Sequence, residues 1–203
     1  MTKAGRYIAL EGAEGCGKTT HAARLAAALD AVLTRETGGT DIGRRIRAIL
    51  HDTTVTNLSD RAEALLVAGD RAQHIDEVVR PALAASRHVV SDRSVFSSLA
   101  YQGYGRGLDL TEVRAINTWA MHGAWPDLVV FIDVDEVSLA QRMRGRNLDR
   151  FEQAGDEFHA RVRAGFRYMA AADPQHWVTI DGGAAKDDVA SGIRSAVAER
   201  LGL

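Results

Sequence analysis

Two periodicities divide this chain. Short β-branched apolar runs at Tyr7–Leu10, Ala31–Thr34, His88–Ser91, Leu128–Asp133 and Trp177–Ile180 have the composition of strands buried on both faces. Between them the apolar positions recur at helical spacing. Phe158, Val162, Phe166 and Met169 step by three or four residues, as do Val189, Ile193, Val197 and Leu201. His21 to Leu29 is an Ala/Leu-rich helical stretch, and Asp109 followed by Glu112 marks a helix start of the capping-box kind. Pro81 should kink or restart the helical region from about Asp60 to Ala85, because it lacks the amide hydrogen that continues a helix. Alternating strands and helices predict an α/β fold: a five-stranded parallel sheet covered by helices on both faces. No repeat, low-complexity stretch or linker interrupts residues 1–203, so a single domain is expected.

In such a sheet ligands sit beyond the carboxyl ends of the strands. The segments following the strands are therefore the site candidates: Thr34 to Thr40, Asp92-Arg93-Ser94, Asp133-Val134-Asp135 and Asp181-Gly182-Gly183. The segment after the first strand is the most specific. Gly12-Ala13-Glu14-Gly15-Cys16-Gly17-Lys18-Thr19 fits the phosphate-loop pattern G-x-x-x-x-G-K-[ST], with a strand before it and a helix after it. Consecutive backbone N–H groups and the helix dipole then converge on one anion. Lys18 would reach the β/γ-phosphates of a nucleotide, and the Thr19 hydroxyl would help to hold Mg²⁺.

Composition narrows the field. The chain is 46% hydrophobic and 26% charged with a formal net charge of −2, which supports an ordinary core and argues against nucleic acid as a partner. One cysteine, Cys16, excludes an internal disulfide and fits a reducing compartment. The seven histidines lack zinc-ligand spacing. Neither a secretory signal nor an apolar run long enough to span a membrane is recognisable, so a cytoplasmic protein with no membrane partner is expected.

Asp92 follows Val89-Val90 at a strand end, where an acid can hold Mg²⁺ directly or through water, or cap a turn, or pair with Arg93. Arg93 offers a planar fork suited to phosphate. Arg71 lies in the helical stretch Leu65 to Ile75, whose apolar face is read as Leu65, Leu66 and Ile75; periodicity leaves open whether Arg71 is solvated. Arg142-Met143-Arg144-Gly145-Arg146 with Asp149-Arg150-Phe151-Glu152 forms a basic, Gly-containing segment, expected to act as a lid over about 142–155. Small hydroxyls and an amide in Ser97 to Gly103 could read a nucleobase edge.

Six segments together resemble the thymidylate kinase family, bacterial type, with the likeness running from about Tyr7 to the C-terminus. They are E-G-x-E-G-x-G-K-T-T at Glu11 to Thr20, T-R-E-x-G-G-T at Thr34 to Thr40, D-R-A-Q-H at Asp70 to His74, D-R-S-x-x-S-S-x-A-Y-Q-G at Asp92 to Gly103, W-P-D-L at Trp125 to Leu128, and L-D-R-F-E at Leu148 to Glu152. The resemblance implies transfer of the γ-phosphoryl of ATP to dTMP, giving dTDP for dTTP synthesis, with Mg²⁺ and a homodimer. It assigns Gly12 to Thr20 to ATP, and Thr19 and Asp92 to Mg²⁺. Glu14 would approach the sugar 3′-hydroxyl of the acceptor. Arg35, Glu36, Arg47 and Arg93 would line its phosphate and sugar, while Arg71, Ser98 and Gln102 would surround the thymine. With no arginine in the phosphate loop, Arg144, Arg146 and Arg150 would join Lys18 and Arg93 in supplying catalytic charge. Two positions depart from the family pattern: Val67 stands where a ring usually stacks on thymine, and Thr37 replaces a proline. Val67 motivates an alternative, a kinase of the same fold acting on dUMP or another pyrimidine nucleotide. A non-catalytic nucleotide switch is the alternative from another class.

Overall fold

The computed structural model describes residues 4–145 and 147–203. Five strands, β1 (Tyr7–Glu11), β2 (Val32–Arg35), β3 (Val89–Asp92), β4 (Leu128–Asp133) and β5 (Trp177–Asp181), form one parallel sheet in the order β2-β3-β1-β4-β5. The helices are α1 (Lys18–Leu29), α2 (Asp41–His51), α3 (Asp60–His74), α4 (Arg80–Ala84), α5 (Val95–Ser98), α6 (Leu110–Met121), α7 (Glu136–Met143), α8 (Asp156–Ala172) and α9 (Lys186–Leu201). All five expected strands are present, each within a residue of the expected bounds at either end.

Strand alternation divides the interior in two. Ile8, Leu10, Val90, Leu128, Val130 and Ile132 pack with Leu25 of α1 and Val189, Ile193 and Val197 of α9. Val129, Phe131 and Trp177 point the opposite way, into a layer that includes Val113 of α6 and Phe158, Val162 and Phe166 of α8. Both faces are covered, which is why the central strands β1 and β4 carry almost no polar residue before their ends.

Local chemistry accounts for the helix boundaries. The Asp109 carboxylate accepts from the backbone N–H groups of Thr111 and Glu112, as expected of an N-cap. The helix restarts at Pro81, as expected. A π-helical turn at Ile75–Val79 leads from α3 into α4, and Pro81 lies in the first turn of α4, where a missing N–H costs little.

One expectation is corrected. Of the apolar face read as Leu65, Leu66 and Ile75, Ile75 is fully buried and Leu66 packs against the core, but Leu65 is 59% exposed. The buried residues of α3 are Glu63, Ala64, Val67, Ala68, Asp70, Arg71 and His74. This helix turns a largely polar face inward because that face closes a ligand cleft rather than the apolar core.

Truncation of Phe166, which is fully buried and stacked on Phe131 at 5.7 Å, tests the α8 packing. Phe166→Ala should cost about 3–5 kcal/mol in urea denaturation. A loss of less than about 1 kcal/mol would show that this ring is not part of the cooperative core.

Candidate active site

A cleft of about 500 Å³ opens at the carboxyl ends of β2, β3 and β1. Strand register aligns its walls, since Arg35 pairs with Asp92 and Asp92 with Leu10. At one end lies the phosphate loop. Gly12 has φ 147°, and a Cβ there would lie 2.7 Å from the Ile132 carbonyl oxygen, so only glycine fits. Gly17, with φ 102°, turns the chain into α1. Glu14, Gly15, Gly17, Lys18, Thr19 and Thr20 line the cleft. Gly12, Ala13 and Cys16 stand behind it. Lys18 Nζ donates to the carbonyl oxygens of Gly12 (3.0 Å) and Ala13 (2.8 Å), so the ammonium is held over the loop.

Thr19 Oγ1 lies 2.5 Å from Asp92 Oδ2. This hydroxyl–carboxylate pair suits a hard cation that completes its shell with water and phosphate oxygens, as Mg²⁺ does. Among the described residues no group of three or more His, Cys, Asp or Glu could hold a metal by itself.

Arg93 occupies the centre. Its backbone is left-handed (φ 75°), a conformation costing about 1–3 kcal/mol for a residue of this size. The surroundings over-determine it. Its backbone N–H donates to the Leu10 carbonyl at 2.9 Å, and its guanidinium donates to Glu14, Ser97 Oγ (3.1 Å) and Tyr101 Oη (3.2 Å) while lying over the Tyr101 ring. Burial would raise the Glu14 carboxyl, but Arg93 and Lys18 outweigh it and hold Glu14 below the usual range. Glu11, at the end of β1, is fully buried and accepts from the backbone and hydroxyls of Ser94 and Ser97, fixing the turn that carries Arg93.

Arg35 and Arg47 complete a trio of cations with Arg93. Arg47 Nη1 donates to the Thr37 carbonyl and hydroxyl at 3.3 and 3.2 Å. Burial first, then the charges of Arg35 and Arg93, push the Arg47 guanidinium below its ordinary value. Positive charge at this point exceeds its local compensation, and an anionic ligand would relieve the excess.

Beyond the trio, Arg71 is 1% exposed rather than solvated. It donates to Glu36 Oε2 (2.8 Å), Ser98 Oγ (2.9 Å), the Ser94 carbonyl (3.1 Å) and Asn117 Oδ1. Glu36 also accepts from His74 Nδ1 at 2.9 Å, and His74 Nε2 meets Thr34 Oγ1 at 2.7 Å. Burial opposes ionisation of Glu36, yet Arg71 and His74 keep it below the usual carboxylate range. Val67, Ser98 and Gln102 line the same end of the cleft. No ring stands at Val67, but Tyr101 and Phe151 contribute aromatic edges to the wall, 6.0 Å apart. Phe96 and Tyr104 lie elsewhere, packed against Trp177 and Tyr168 respectively.

The lid residues separate. Asn147, Asp149, Phe151 and Glu152 line the cleft. Arg144 is exposed at the end of α7 and does not line it, and Arg146 lies outside the described residues. Arg150 does not line the cleft but reaches Glu63 Oε2 (2.6 Å) and the Leu50 carbonyl (2.8 Å), where it helps to compensate a carboxylate that is fully buried. The ends of β4 and β5, also expected as site candidates, are satisfied locally. Asp133 pairs with Arg167, Asp135 caps α7, and Asp181 accepts from the Gly183 N–H.

His51, which lines the cleft, and Glu63, His74 and Asn117, which bond to the cleft residues Gln102, Glu36 and Arg71, were not singled out as site residues from the sequence. For Glu63 a signal exists in the sequence: Glu63, Val67 and Arg71 follow one another at four-residue steps on a single helical face.

The family model described as thymidylate kinase matches residues 10–193. A thymidylate kinase of Solidesulfovibrio magneticus is 44% identical over 208 aligned residues, covering 96% of this chain and 100% of the relative. One from Synechococcus sp. (strain JA-3-3Ab) is 46% identical, with 96% of each chain covered. The crystal structure of thymidylate kinase from Ehrlichia chaffeensis superposes with a TM-score of 0.80 at 28% identity, covering 96% of this chain and 99% of that one.

Asp149 joins the lid to α2 through His51 Nδ1 at 2.6 Å, and it accepts from the backbone N–H groups of Phe151 and Glu152. Burial opposes its ionisation, but these bonds lower its carboxyl from 3.8 to about 2. A depressed carboxylate stabilises the fold fully above the unfolded value and loses that contribution as pH falls through the folded one. The stability gap between the unaltered protein and Asp149→Asn should therefore be constant above about pH 5 and shrink between about pH 4 and 2. A gap that does not change over this window in urea titrations would mean that the carboxylate is not anchored this way.

Proposed function

The chain belongs to the thymidylate kinase family, and from that premise we propose that it transfers the γ-phosphoryl group of ATP to dTMP, giving ADP and dTDP. The observation carrying this reading is one continuous cleft. A phosphate loop with Lys18 lies at one end, the trio Arg35, Arg47 and Arg93 in the middle, and the Arg71, Ser98 and Gln102 wall at the other. Two phosphate-binding regions facing each other across a short gap suit a donor and an acceptor held in line.

The chemistry asked of the protein is modest. An acceptor phosphate oxygen is already anionic near neutral pH, so the reaction needs positioning and charge neutralisation rather than a strong base. Lys18 and the loop N–H groups would hold the donor's β- and γ-phosphates. Arg35, Arg47 and Arg93 would draw in the acceptor phosphate and spread the charge that grows on the transferring group. Glu14, bound to Arg93 and Tyr101, would fix the guanidinium and face the acceptor sugar. Thr19 and Asp92 would hold Mg²⁺, which neutralises phosphate charge when bound. Arg144 and Arg146 are the lid's candidates for additional positive charge, whereas Arg150 could serve only by leaving Glu63. Val67, Tyr101 and Phe151 give the base an apolar wall without a ring on α3.

Among the described residues no helix is long and apolar enough to cross a membrane. A homodimer is supported by large exposed apolar side chains on three neighbouring helices: Ile42 and Ile49 of α2, Leu65 of α3 and Trp119 of α6, the last 83% exposed. Trp119→Glu should shift the protein from dimer to monomer in analytical ultracentrifugation; an unaltered sedimentation coefficient would move the interface off this face.

The activity is tested by coupled ADP release with ATP, Mg²⁺ and either dTMP or dUMP. We expect kcat/KM to favour dTMP, and equal or inverted preference would displace dTMP as the acceptor. Arg93→Ala should lower kcat/KM by about 10²–10³-fold with ATP binding largely kept. Unchanged turnover would remove Arg93 from the transfer step.

A further inference from the structure

Glu63 is 0% exposed, yet it stands apart from the phosphate chemistry. Its carboxylate accepts four bonds from two different regions. Oε1 takes Gln102 Nε2 at 2.9 Å and Arg106 Nε at 3.2 Å, while Oε2 takes Arg106 Nη2 at 3.0 Å and Arg150 Nη2 at 2.6 Å. A carboxylate has no proton to give, so whichever arm of the Gln102 amide faces it must be the NH₂ arm. The reverse orientation would bring two oxygens together without a hydrogen between them. Gln102 is itself 2% exposed and lines the cleft, and among the described residues no donor is bonded to its amide oxygen. With its nitrogen committed to Glu63, the amide offers the cleft an acceptor.

We propose that Glu63 is a positioning residue that locks the Gln102 amide with its oxygen toward the acceptor base, so that the cleft selects pyrimidines carrying an imide N–H. Thymine and uracil have a hydrogen on N3. Cytosine has a bare ring nitrogen there, which would face the Gln102 oxygen lone pair to lone pair. A site built to accept an N–H rejects an analogue lacking it far more strongly than an apolar pocket rejects a change of shape. Discrimination against cytosine therefore originates one residue behind the contact surface. Recognition of the thymine methyl is a separate matter, left to the apolar wall.

Replacing the carboxylate by an amide should invert the lock. In Glu63→Gln the new amide oxygen is drawn to the Oε2 position, where two guanidinium groups donate at 3.0 and 2.6 Å, and the longer Arg106 Nε bond to the Oε1 position (3.2 Å) is given up. Its NH₂ is then placed beside Gln102. The Gln102 amide turns over to accept from it, and its own NH₂ faces the cleft, matching the ring nitrogen of cytosine.

This inference rests on the kinase reading above, and one experiment separates the two. The kcat/KM for dTMP and for dCMP would be measured with ATP in the unaltered protein and in Glu63→Gln, with a thermal melt to confirm folding. We expect the dTMP:dCMP ratio to fall by about tenfold or more in the variant, with dCMP turnover rising as dTMP turnover drops. A purely structural role would lower both together and leave the ratio unchanged, which overturns the proposal for Glu63 alone. Transfer to neither nucleotide by the unaltered protein would overturn the kinase reading itself. Should that variant not fold, Glu63→Asp keeps the charge between Arg106 and Arg150 but draws the carboxylate back from Gln102; a dTMP:dCMP ratio lowered about threefold or more supports the lock, and an unchanged ratio refutes it.

Discussion

Buried charge is the constraint around which this molecule is arranged. A cleft that binds phosphate must hold several cations out of bulk water, and an unpaired buried ion costs several kcal/mol. Four acids link separate parts of the chain around it, three of them in ion pairs and Glu11 through serine donors. Glu11 joins β1 to the turn after β3, and Glu14 joins the phosphate loop to Arg93 and Tyr101. Glu36 joins β2 to α3 through Arg71 and His74, while Glu63 joins α3 to the lid and to the segment after α5. The site is therefore also a structural node. The left-handed backbone at Arg93 persists because these contacts leave it no alternative.

Much of this was legible from residue order. The strands were visible because a parallel sheet covered on both faces writes uninterrupted apolar runs, and the phosphate loop because its spacing is chemically restrictive. What escaped was the partnership between distant residues. Glu63 and Arg150 are 87 positions apart, and His51 and Asp149 are 98 apart. Amphipathic reasoning misjudged α3 for a definite reason. It assumes that the inward face is apolar, whereas α3 turns Glu63, Asp70, Arg71 and His74 inward to line and brace the cleft. The basic run near the lid posed the same difficulty. Charge alone could not say that Arg150 turns toward Glu63 while Arg144 stays in solvent.

No ring stands at Val67 on α3, and the rings that line the cleft come from elsewhere in the chain: Tyr101, following α5, and Phe151, in the segment before α8, which meet edge to face. Phe151 neighbours Asp149 and Arg150, both tied down by ion pairs, so this stretch before α8 is held in place beside the cleft that Asp149 and Phe151 line.

The hold that Gly12 and Ala13 exert on the Lys18 ammonium also matters for how quickly a nucleotide can be received. A lysine free in solvent samples many rotamers and loses about 1.5–2 kcal/mol of entropy when it is immobilised. Here that ordering happens once, as the chain folds. A triphosphate arriving at this loop would meet a charge already in position and would have only to exchange carbonyl oxygens for phosphate oxygens. The loop behaves as a preset electrode, its potential established before the substrate arrives.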